Sequence, residues 1–512
     1  METRNVILWA LLPVIVVLVM SIGVQARELA EVNADDILKQ IENGEDIYLE
    51  NVCIIGLFDF KEPQNIVESE ITIINSVFEN TVDFSYTQFR KPLDFQDTSF
   101  SGVRTIFRGA NFSDDANFWG ASFNGNADFS DASFGGYANF HDASFSDAAK
   151  FWGANFNGNA VFSDASFSGI ALFYDASFSD GYADFSDASF SKISWFWNAD
   201  FNGAAKFRGA DFNNVALFHN ACFSDDADFS DASFSDDAKF SGASFNGHAD
   251  FHDASFSDIA DFRDVSFDDV AYFVDFEDAS FSDDAKFWGA SFNGHADFSD
   301  ASFSGIADFR DVNFRKGVSF DFTEFNRVFF SNTSFTHISL READFYRMKV
   351  DWSSLKNSLV FDGPTYAQLI KNFREMEQFE DADDAYYQYR RLSQANKKWS
   401  FSKLGDIFMW VTCGYGVRPQ YTIICGVVLI LVFALIYRLG NGIMRLKESD
   451  GDSIRVSFWD AFYFSMVTFT TVGYGDWYPV DRYRKFVMVE GLVGWLTLAL
   501  FLVTLANVMI RP

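Results

Sequence analysis

A short stretch near the C-terminus could present a row of backbone oxygens to a bare cation. It reads Thr470-Thr471-Val472-Gly473-Tyr474-Gly475-Asp476. A dehydrated potassium ion needs a cage of oxygens in place of its water shell, and successive backbone carbonyls supply one if they point the same way. That conformation alternates between ordinary and left-handed dihedral angles, and the left-handed steps cost least at Gly473 and Gly475. The hydroxyl of Thr471 can add an oxygen to the innermost site.

The segments on either side of this stretch must hold it in place. Residues 421–439 and 486–510 are apolar and long enough to cross a bilayer as helices. Residues 458–470 are predicted to form a pore helix whose C-terminal end, with its partial negative charge, points at the ion path. One chain supplies only one wall of a cage, so four chains are expected to meet around an axis. Gly494, inside the second span, is either a hinge or a point of close helix packing.

These features resemble the pore domain of potassium channels, the two-transmembrane ion-channel family. The resemblance covers roughly residues 415–512 and rests on the motif that starts at Thr471. It implies a homotetramer in the lipid bilayer, with potassium as the permeant ion and with no other metal or cofactor. It also implies an ion-selectivity filter made of Thr471, Val472, Gly473, Tyr474, Gly475 and Asp476.

A second pattern, built on phenylalanine, fills the middle of the chain. The sequence contains 65 Phe, and from Phe112 to Phe178 they recur at steps that alternate between six and five residues. An eleven-residue period could also indicate a right-handed coiled coil. However, the intervening Ser, Asp, Asn and Gly are poor helix formers, and the frequent Ala-x-Phe pairs share the two-residue period of a strand. The pattern therefore favours short strands separated by turns.

Stretches such as residues 110–114, Ala-Asn-Phe-Ser-Asp, resemble the pentapeptide-repeat family. The resemblance implies a right-handed quadrilateral β-helix in which the large residue, and the small residue two before it, point inward. The alternating steps depart from the family pattern and imply a bulge or a wider corner at every second side. Residues 78–345 would form about twelve coils of about 22 residues, a rod on the order of 60 Å long.

The remaining segments complete the predicted domain organisation. Residues 1–26 are predicted to be a signal peptide or an N-terminal anchor, and residues 27–77 a helix and strand cap. Residues 346–404 are predicted to be a helical connector that contains a hairpin, and residues 405–512 form the pore domain. The fold class is therefore β plus membrane α: a β-helix, then a helical hairpin, then a two-helix channel domain with a P-loop.

Composition argues against several other functions. The formal net charge is −33, which disfavours binding to nucleic acid phosphates. The 4 cysteines are scattered, with no spacing typical of a metal site or a disulfide framework. The histidines fall mostly at predicted turns of the repeat, and we interpret them as surface residues. No constellation of catalytic residues is visible, so the sequence predicts that the protein is not an enzyme.

The sequence leaves the side of the membrane occupied by the rod open. A filter that faces outside places the residues just before Tyr421 in the cytoplasm, whereas a cleaved signal peptide would place the rod outside. We expect a multi-pass protein of the cell membrane and favour a cytoplasmic rod, because the filter is the more specific signal. An extracellular rod is the alternative.

The sequence therefore predicts a potassium-selective channel subunit. Its pentapeptide-repeat rod would act as a scaffold, a spacer or a regulatory module, with an unidentified protein as the partner of the rod. The alternative is a non-conducting, membrane-anchored scaffold or interaction protein that displays the β-helix. The intact motif from Thr471 to Asp476 argues against this alternative, because an anchor has no need of two glycines there.

Overall fold

The structure is a computed structural model that describes residues 29–60, 66–268, 273–445 and 456–509. The predicted signal peptide or anchor at residues 1–26 lies outside the described residues, as does the last residue of the predicted span 486–510. The chain forms two compact units, Met1–Lys349 and Val350–Pro512. Each unit is described by itself.

The first unit is a parallel β-solenoid with four short strands in each coil. One coil contains Asn111–Phe112, Ala116–Asn117, Ser122–Phe123 and Asn126–Asp128. Each strand pairs with its equivalent in the next coil, as Phe112 does with Phe134, 22 residues later. The predicted pentapeptide-type β-helix is therefore confirmed, and the helices that follow it include two candidate membrane spans.

The strands of the solenoid form continuous ladders along its length. Among the described residues, one face has 13 strands: Ile66–Val67, Gln88–Phe89, Asn111–Phe112, Ser133–Phe134, Asn155–Phe156, Ser177–Phe178, Asp200–Phe201, Cys222–Phe223, Ser244–Phe245, Ser266–Phe267, Ser291–Phe292, Asn313–Phe314 and Ser334–Phe335. A second face has 14 strands, from Ile47–Glu50 to Ile338–Ser339. The other two faces form one sheet of 26 strands, because late strands such as Ser302–Asp308 run through the corner between them. The solenoid thus has about 14 turns.

The ladders extend beyond the predicted repeat block at residues 78–345. Residues 27–77, assigned to a cap from the sequence, contain strands in the same register: Ala30–Asn33 pairs with Val52–Ile55, and Ile47–Glu50 pairs with Ile71–Ile74. Ile and Val fill most of the inward positions of these coils, with Phe only at Phe58 and Phe60 among the buried residues described there, so the phenylalanine spacing does not reveal the coils. The predicted helix does lie at the N-terminal end of the solenoid, as α1 (Ala34–Glu42), capped by the Asn33 side chain.

Stacked phenylalanines form the core of the solenoid. Phe129 lies parallel to Phe151 of the next coil, with ring centroids 4.9 Å apart, and edge-on to Phe140, at 5.3 Å. The five-residue steps turn through a left-handed residue such as Asp131, a residue type that tolerates this conformation. The six-residue step from Phe123 to Phe129 has no left-handed residue and bends more widely. The alternating steps therefore correspond to two kinds of corner.

The second unit is helical. Its helices are α2 (Trp352–Leu355), α3 (Gly363–Glu375), α4 (Phe379–Asn396), α5 (Phe401–Cys413), α6 (Pro419–Leu439), α7 (Phe458–Phe469) and α8 (Arg484–Met509). Short 3-10 turns occupy Gly414–Gly416 and Asp481–Tyr483, and the strands Ile443–Arg445 and Trp477–Pro479 pair in antiparallel fashion. By length and composition, Pro419–Leu439 and Asp481–Met509 could each cross a membrane.

Candidate functional site

The helix α7 starts at a well-defined point, which fixes its direction. The side chain of Ser457 caps the helix, and the Ser457 backbone N–H donates to Asp460 Oδ2 at 3.3 Å, so that the two residues form a capping box. Asp460 also places a negative charge in the first turn, where the helix dipole favours it. The opposite, partially negative end of α7 therefore leads directly into residues 470–476.

Hydrogen bonds tie the start of the glycine-containing stretch to the end of α7. The Thr470 N–H donates to the Met466 carbonyl at 3.0 Å. The Val472 N–H reaches back to the Val467 carbonyl at 3.1 Å. The stretch thus leaves the helix in a fixed direction, although it has no regular secondary structure of its own.

The backbone of this stretch has left-handed dihedral angles at every second residue. The φ angle is +59° at Thr471, +59° at Gly473 and +74° at Gly475. The sequence predicted left-handed steps at the two glycines and missed Thr471. Because Gly473 and Gly475 are two residues apart, the same spacing would have predicted a left-handed residue at Thr471. This alternation is what successive carbonyls need in order to point the same way.

Side chains of the stretch at residues 470–476 are largely exposed in the single chain, and we call this exposed surface the wall. Val472 is 54% exposed and Tyr474 is 71% exposed. A Cβ atom added at Gly473 or at Gly475 would meet nothing within 4 Å. Space within the chain therefore does not require glycine at these positions, whereas the left-handed backbone favours it.

The two apolar helices, α6 and α8, pack against α7 from two sides. Phe433 and Tyr437 of α6 pack with Ala461 and Phe464 of α7 in one buried cluster. On the other side, a Cβ atom added at Gly494 of α8 would lie 2.2 Å from the Phe469 carbonyl oxygen. Gly494 lies inside a continuous helix and permits this close approach. Its role as a hinge stays a prediction.

A buried polar cluster lies behind this wall, and we did not predict it from the sequence. Glu490 of α8, Tyr437 of α6 and Ser465 of α7 are each fully buried. The Tyr437 hydroxyl donates to Glu490 Oε2 at 2.7 Å, and the Ser465 hydroxyl contacts Glu490 Oε1. The signal available in the sequence was a single carboxyl within an apolar span, which is rare and typically functional.

The connector helices contact the beginning of α6. Arg418 forms an ion pair with Asp384 of α4. The Trp410 indole N–H donates to the Tyr387 hydroxyl at 2.9 Å, and that hydroxyl lies 3.4 Å from the hydroxyl of Tyr421. The connector therefore adjoins the N-terminal end of α6, whereas the polar cluster around Tyr437 lies near its C-terminal end.

Two ion pairs of Asp406 link α5 to α4 and to the residue that follows α4. The Asp406 carboxylate lies 2.5 Å from Lys397 Nζ and 2.9 Å from Arg390 Nη2. The hydrogen bond from Lys397 lowers the pKa of Asp406 below its ordinary value, and Arg390 lowers it further. The opposite side of α5 exposes more than half of each of several apolar side chains, namely Phe401, Leu404, Phe408 and Val411. This amphipathic character is typical of a helix that lies along lipid headgroups.

Comparison with known proteins finds two families in this chain. Residues 424–511 match the family described as ion channel. Pentapeptide repeats match at residues 73–122, 107–154, 151–200, 229–275 and 276–324. Over 76 residues, the chain is 36% identical to the human protein named "Potassium voltage-gated channel subfamily A member 6". That alignment covers 15% of this chain and 14% of the relative. The chain therefore combines a pentapeptide-repeat solenoid with an ion-channel domain and is a membrane protein.

Proposed function

We propose that the protein is a potassium-selective channel subunit that assembles as a homotetramer. The observation that carries this proposal is the alternation of left-handed residues at Thr471, Gly473 and Gly475, between two apolar helices. Four such walls around an axis would replace the water shell of potassium with backbone carbonyls. The human relative whose name specifies potassium supports the choice of ion.

The exposure of Val472 and Tyr474 supports assembly. Large apolar side chains on a surface are typical of contact sites when they adjoin one another. Neighbouring subunits would cover this wall and complete the cage. An isolated chain provides only one side of an ion path, so conduction depends on the tetramer.

We further propose that the solenoid lies on the cytoplasmic side of the membrane. The connector adjoins the N-terminal end of α6. The C-terminal end of α6 leads to Ile443–Arg445, which pairs with Trp477–Pro479 directly after the proposed filter, and this outer end of the filter faces outside in the resembled family. Residues 350–418 are all described, and none of their helices is a candidate span. The chain therefore reaches α6 without crossing the bilayer. A membrane-impermeant thiol reagent should label the partly exposed Cys222 only after the cell membrane is permeabilised. Labelling of Cys222 in intact cells would refute this placement.

We propose that the connector makes the solenoid a regulatory module. Gly416, in the turn after α5, faces Asn507 near the C-terminal end of α8, with the Asn507 Nδ2 atom 3.9 Å from a Cβ placed on Gly416. The helix before Gly416, α5, is linked to the connector by the ion pairs of Asp406 with Arg390 and Lys397. A displacement of the connector would therefore reach the end of the helix that lines the proposed pore. Binding of a protein partner to the solenoid could act through this contact. Substitution of Asn507 should then change open probability without changing ion selectivity, and an unchanged open probability would refute the route.

The experiment that tests the proposed function is ion flux through purified protein in liposomes. We expect potassium to pass and sodium to be largely excluded. If tetramers with an intact filter carried no ion, the alternative of a membrane-anchored scaffold would replace the channel.

A further inference from the structure

Glu490 is a carboxyl group in an apolar span whose partners are hydroxyl groups. It is fully buried, and its two oxygens contact Tyr437 and Ser465. An ionised carboxylate that is buried without a cation is strongly disfavoured. The contacts of Ser465 show how this cost is avoided.

The protons in this cluster can be counted. The Ser465 hydroxyl oxygen lies 2.8 Å from the Ile430 carbonyl oxygen and also contacts Glu490 Oε1. A carbonyl oxygen only accepts hydrogen bonds, and a serine hydroxyl carries a single proton. If Ser465 donates to Ile430, the proton between Ser465 and Glu490 must come from Glu490. Tyr437 donates to the other carboxyl oxygen, so every polar atom of the cluster is then satisfied.

The cluster also fixes the position of the pore helix. Ser465 lies one helical turn before Phe469, and Glu490 lies one turn before Gly494. The contacts Ser465–Glu490 and Phe469–Gly494 thus attach α7 to α8 at two points, one turn apart. Phe469 is two residues before Thr471, where the left-handed stretch begins.

We propose that Glu490 acts as a neutral carboxylic acid that positions the pore helix, and thereby the filter, for ion selectivity. It donates its proton to Ser465, accepts a hydrogen bond from Tyr437, and joins α6, α7 and α8. Glu490 does not touch the ion, so it is a positioning residue. This inference rests on the proposed function as a potassium channel.

The test compares two substitutions in the full-length protein. Glu490→Gln keeps the shape and the neutral charge, and its amide group can donate to Ser465 and accept from Tyr437. Glu490→Leu keeps a similar volume but leaves both hydroxyls without their partner. In liposomes we expect E490Q to keep the ratio of potassium to sodium flux within about twofold of the unsubstituted protein, and E490L to lower it about tenfold.

Three controls keep the test decisive. Size-exclusion chromatography identifies a variant that fails to assemble, and in that case Ser465→Ala, which removes only one hydroxyl, replaces E490L with the same expected direction. Tyr437→Phe should lower selectivity less than E490L does, because the contact with Ser465 remains. Infrared spectroscopy should show the carbonyl band of a protonated carboxylic acid that disappears in E490Q.

Each outcome decides between the claims. If E490L assembles and keeps full selectivity, or if E490Q loses as much selectivity as E490L, the inference is wrong. The absence of the infrared band would show an ionised Glu490 and overturn the neutral acid. If the unsubstituted protein does not select potassium, the proposed function fails, whereas the infrared band still decides the protonation state of Glu490.

Discussion

Single backbone positions carry the proposed ion selectivity. At Gly473, φ is +59° and there is room for a side chain within the chain itself. A β-branched residue enters the left-handed region only at an energetic cost, which the chain already bears once at Thr471. A second such residue at Gly473 adds to that cost through the backbone rather than through crowding. Selectivity should therefore depend on residue type at this position even though the side chain touches nothing in its own subunit.

We predict that Gly473→Val abolishes potassium selectivity or flux. Gly405→Val is the matched control, because a Cβ atom there also meets nothing within 4 Å, but the residue lies in α5 with ordinary helical geometry. Flux in liposomes measures both variants. Unchanged selectivity in Gly473→Val would refute the assignment of the filter.

A single phenylalanine of the solenoid core should also have a measurable effect. Phe207 is fully buried between Phe185 and Phe229, with ring centroids at 4.9 and 4.8 Å. Phe207→Ala removes both stacking contacts and leaves a cavity, so it should lower the free energy of unfolding by about 3–5 kcal/mol locally. Hydrogen exchange of the adjacent coils would measure this loss.

The matched control for Phe207 is Asn213→Ala, because that side chain is exposed in the same coil. It should change stability by no more than about 0.5 kcal/mol. Equal protection of the coils in both variants would mean that phenylalanine stacking does not stabilise the solenoid.

Among the structural elements, the contact of α5 with the connector should depend on pH through the ion pairs of Asp406. Lys397 lowers the pKa of Asp406, so the folded state favours the ionised carboxylate. The resulting stabilisation is present at pH values above the unfolded pKa of about 3.9 and is lost as pH falls through the lower folded pKa. Asp406→Asn should therefore lower the Tm of the protein in detergent at pH 7, and this difference should shrink below about pH 4.

Asp481→Asn is the control for the Asp406 prediction. Asp481 forms a similar ion pair with Arg484, but its side chain is 88% exposed, and such surface pairs contribute little. The Tm of the Asp481→Asn variant should match that of the unsubstituted protein both at pH 7 and below about pH 4. A Tm difference for Asp406→Asn that persists unchanged in acid would show that the ion pair is not its cause.

The elements differ in how far the sequence predicted them. The coil of 22 residues followed from the five- and six-residue steps of phenylalanine together with the four sides that the pentapeptide-repeat resemblance implies, and identical residues do stack on each other in successive coils. The coils before residue 78 did not follow, because Ile and Val reach the same inward positions without a fixed spacing. The helix predicted over residues 458–470 is observed over Phe458–Phe469, one residue shorter, since the flanking motif fixes where it must end.

The polar cluster around Glu490 shows what sequence reasoning missed at the site. Its three side chains come from α6, α7 and α8, and they are 25 and 53 residues apart along the chain. The local sequence pattern shows one carboxyl group, Glu490, in an apolar segment, but it does not show which side chains contact that group. Only the packing of three helices brings Tyr437 and Ser465 to Glu490.

For the whole molecule, the division into two units predicts that conduction does not need the solenoid. The proposed filter, both candidate spans and the connector from residue 350 onwards belong to Val350–Pro512, whereas residues 346–349 of the predicted connector lie in the last strand of the solenoid, Asp344–Lys349. A protein shortened to start at residue 350 should assemble as a tetramer and conduct with unchanged selectivity, although its open probability is expected to differ. Flux and size-exclusion chromatography measure these properties.

A protein shortened further, to start at Ser400, is the comparison. It lacks Asp384 and Tyr387, which contact Arg418 and Tyr421 at the beginning of α6, so fewer tetramers should form. If the protein starting at residue 350 formed tetramers that never opened, the solenoid would be required for gating.

The most direct test of the potassium channel is the reversal potential of the full-length protein in a planar bilayer, with potassium on one side and sodium on the other. We predict that it lies far from zero, with the sodium side positive, because potassium carries nearly all of the current, and that Gly473→Val abolishes this preference. A reversal potential near zero, from a current that the Gly473→Val variant leaves unchanged, would contradict the proposed function.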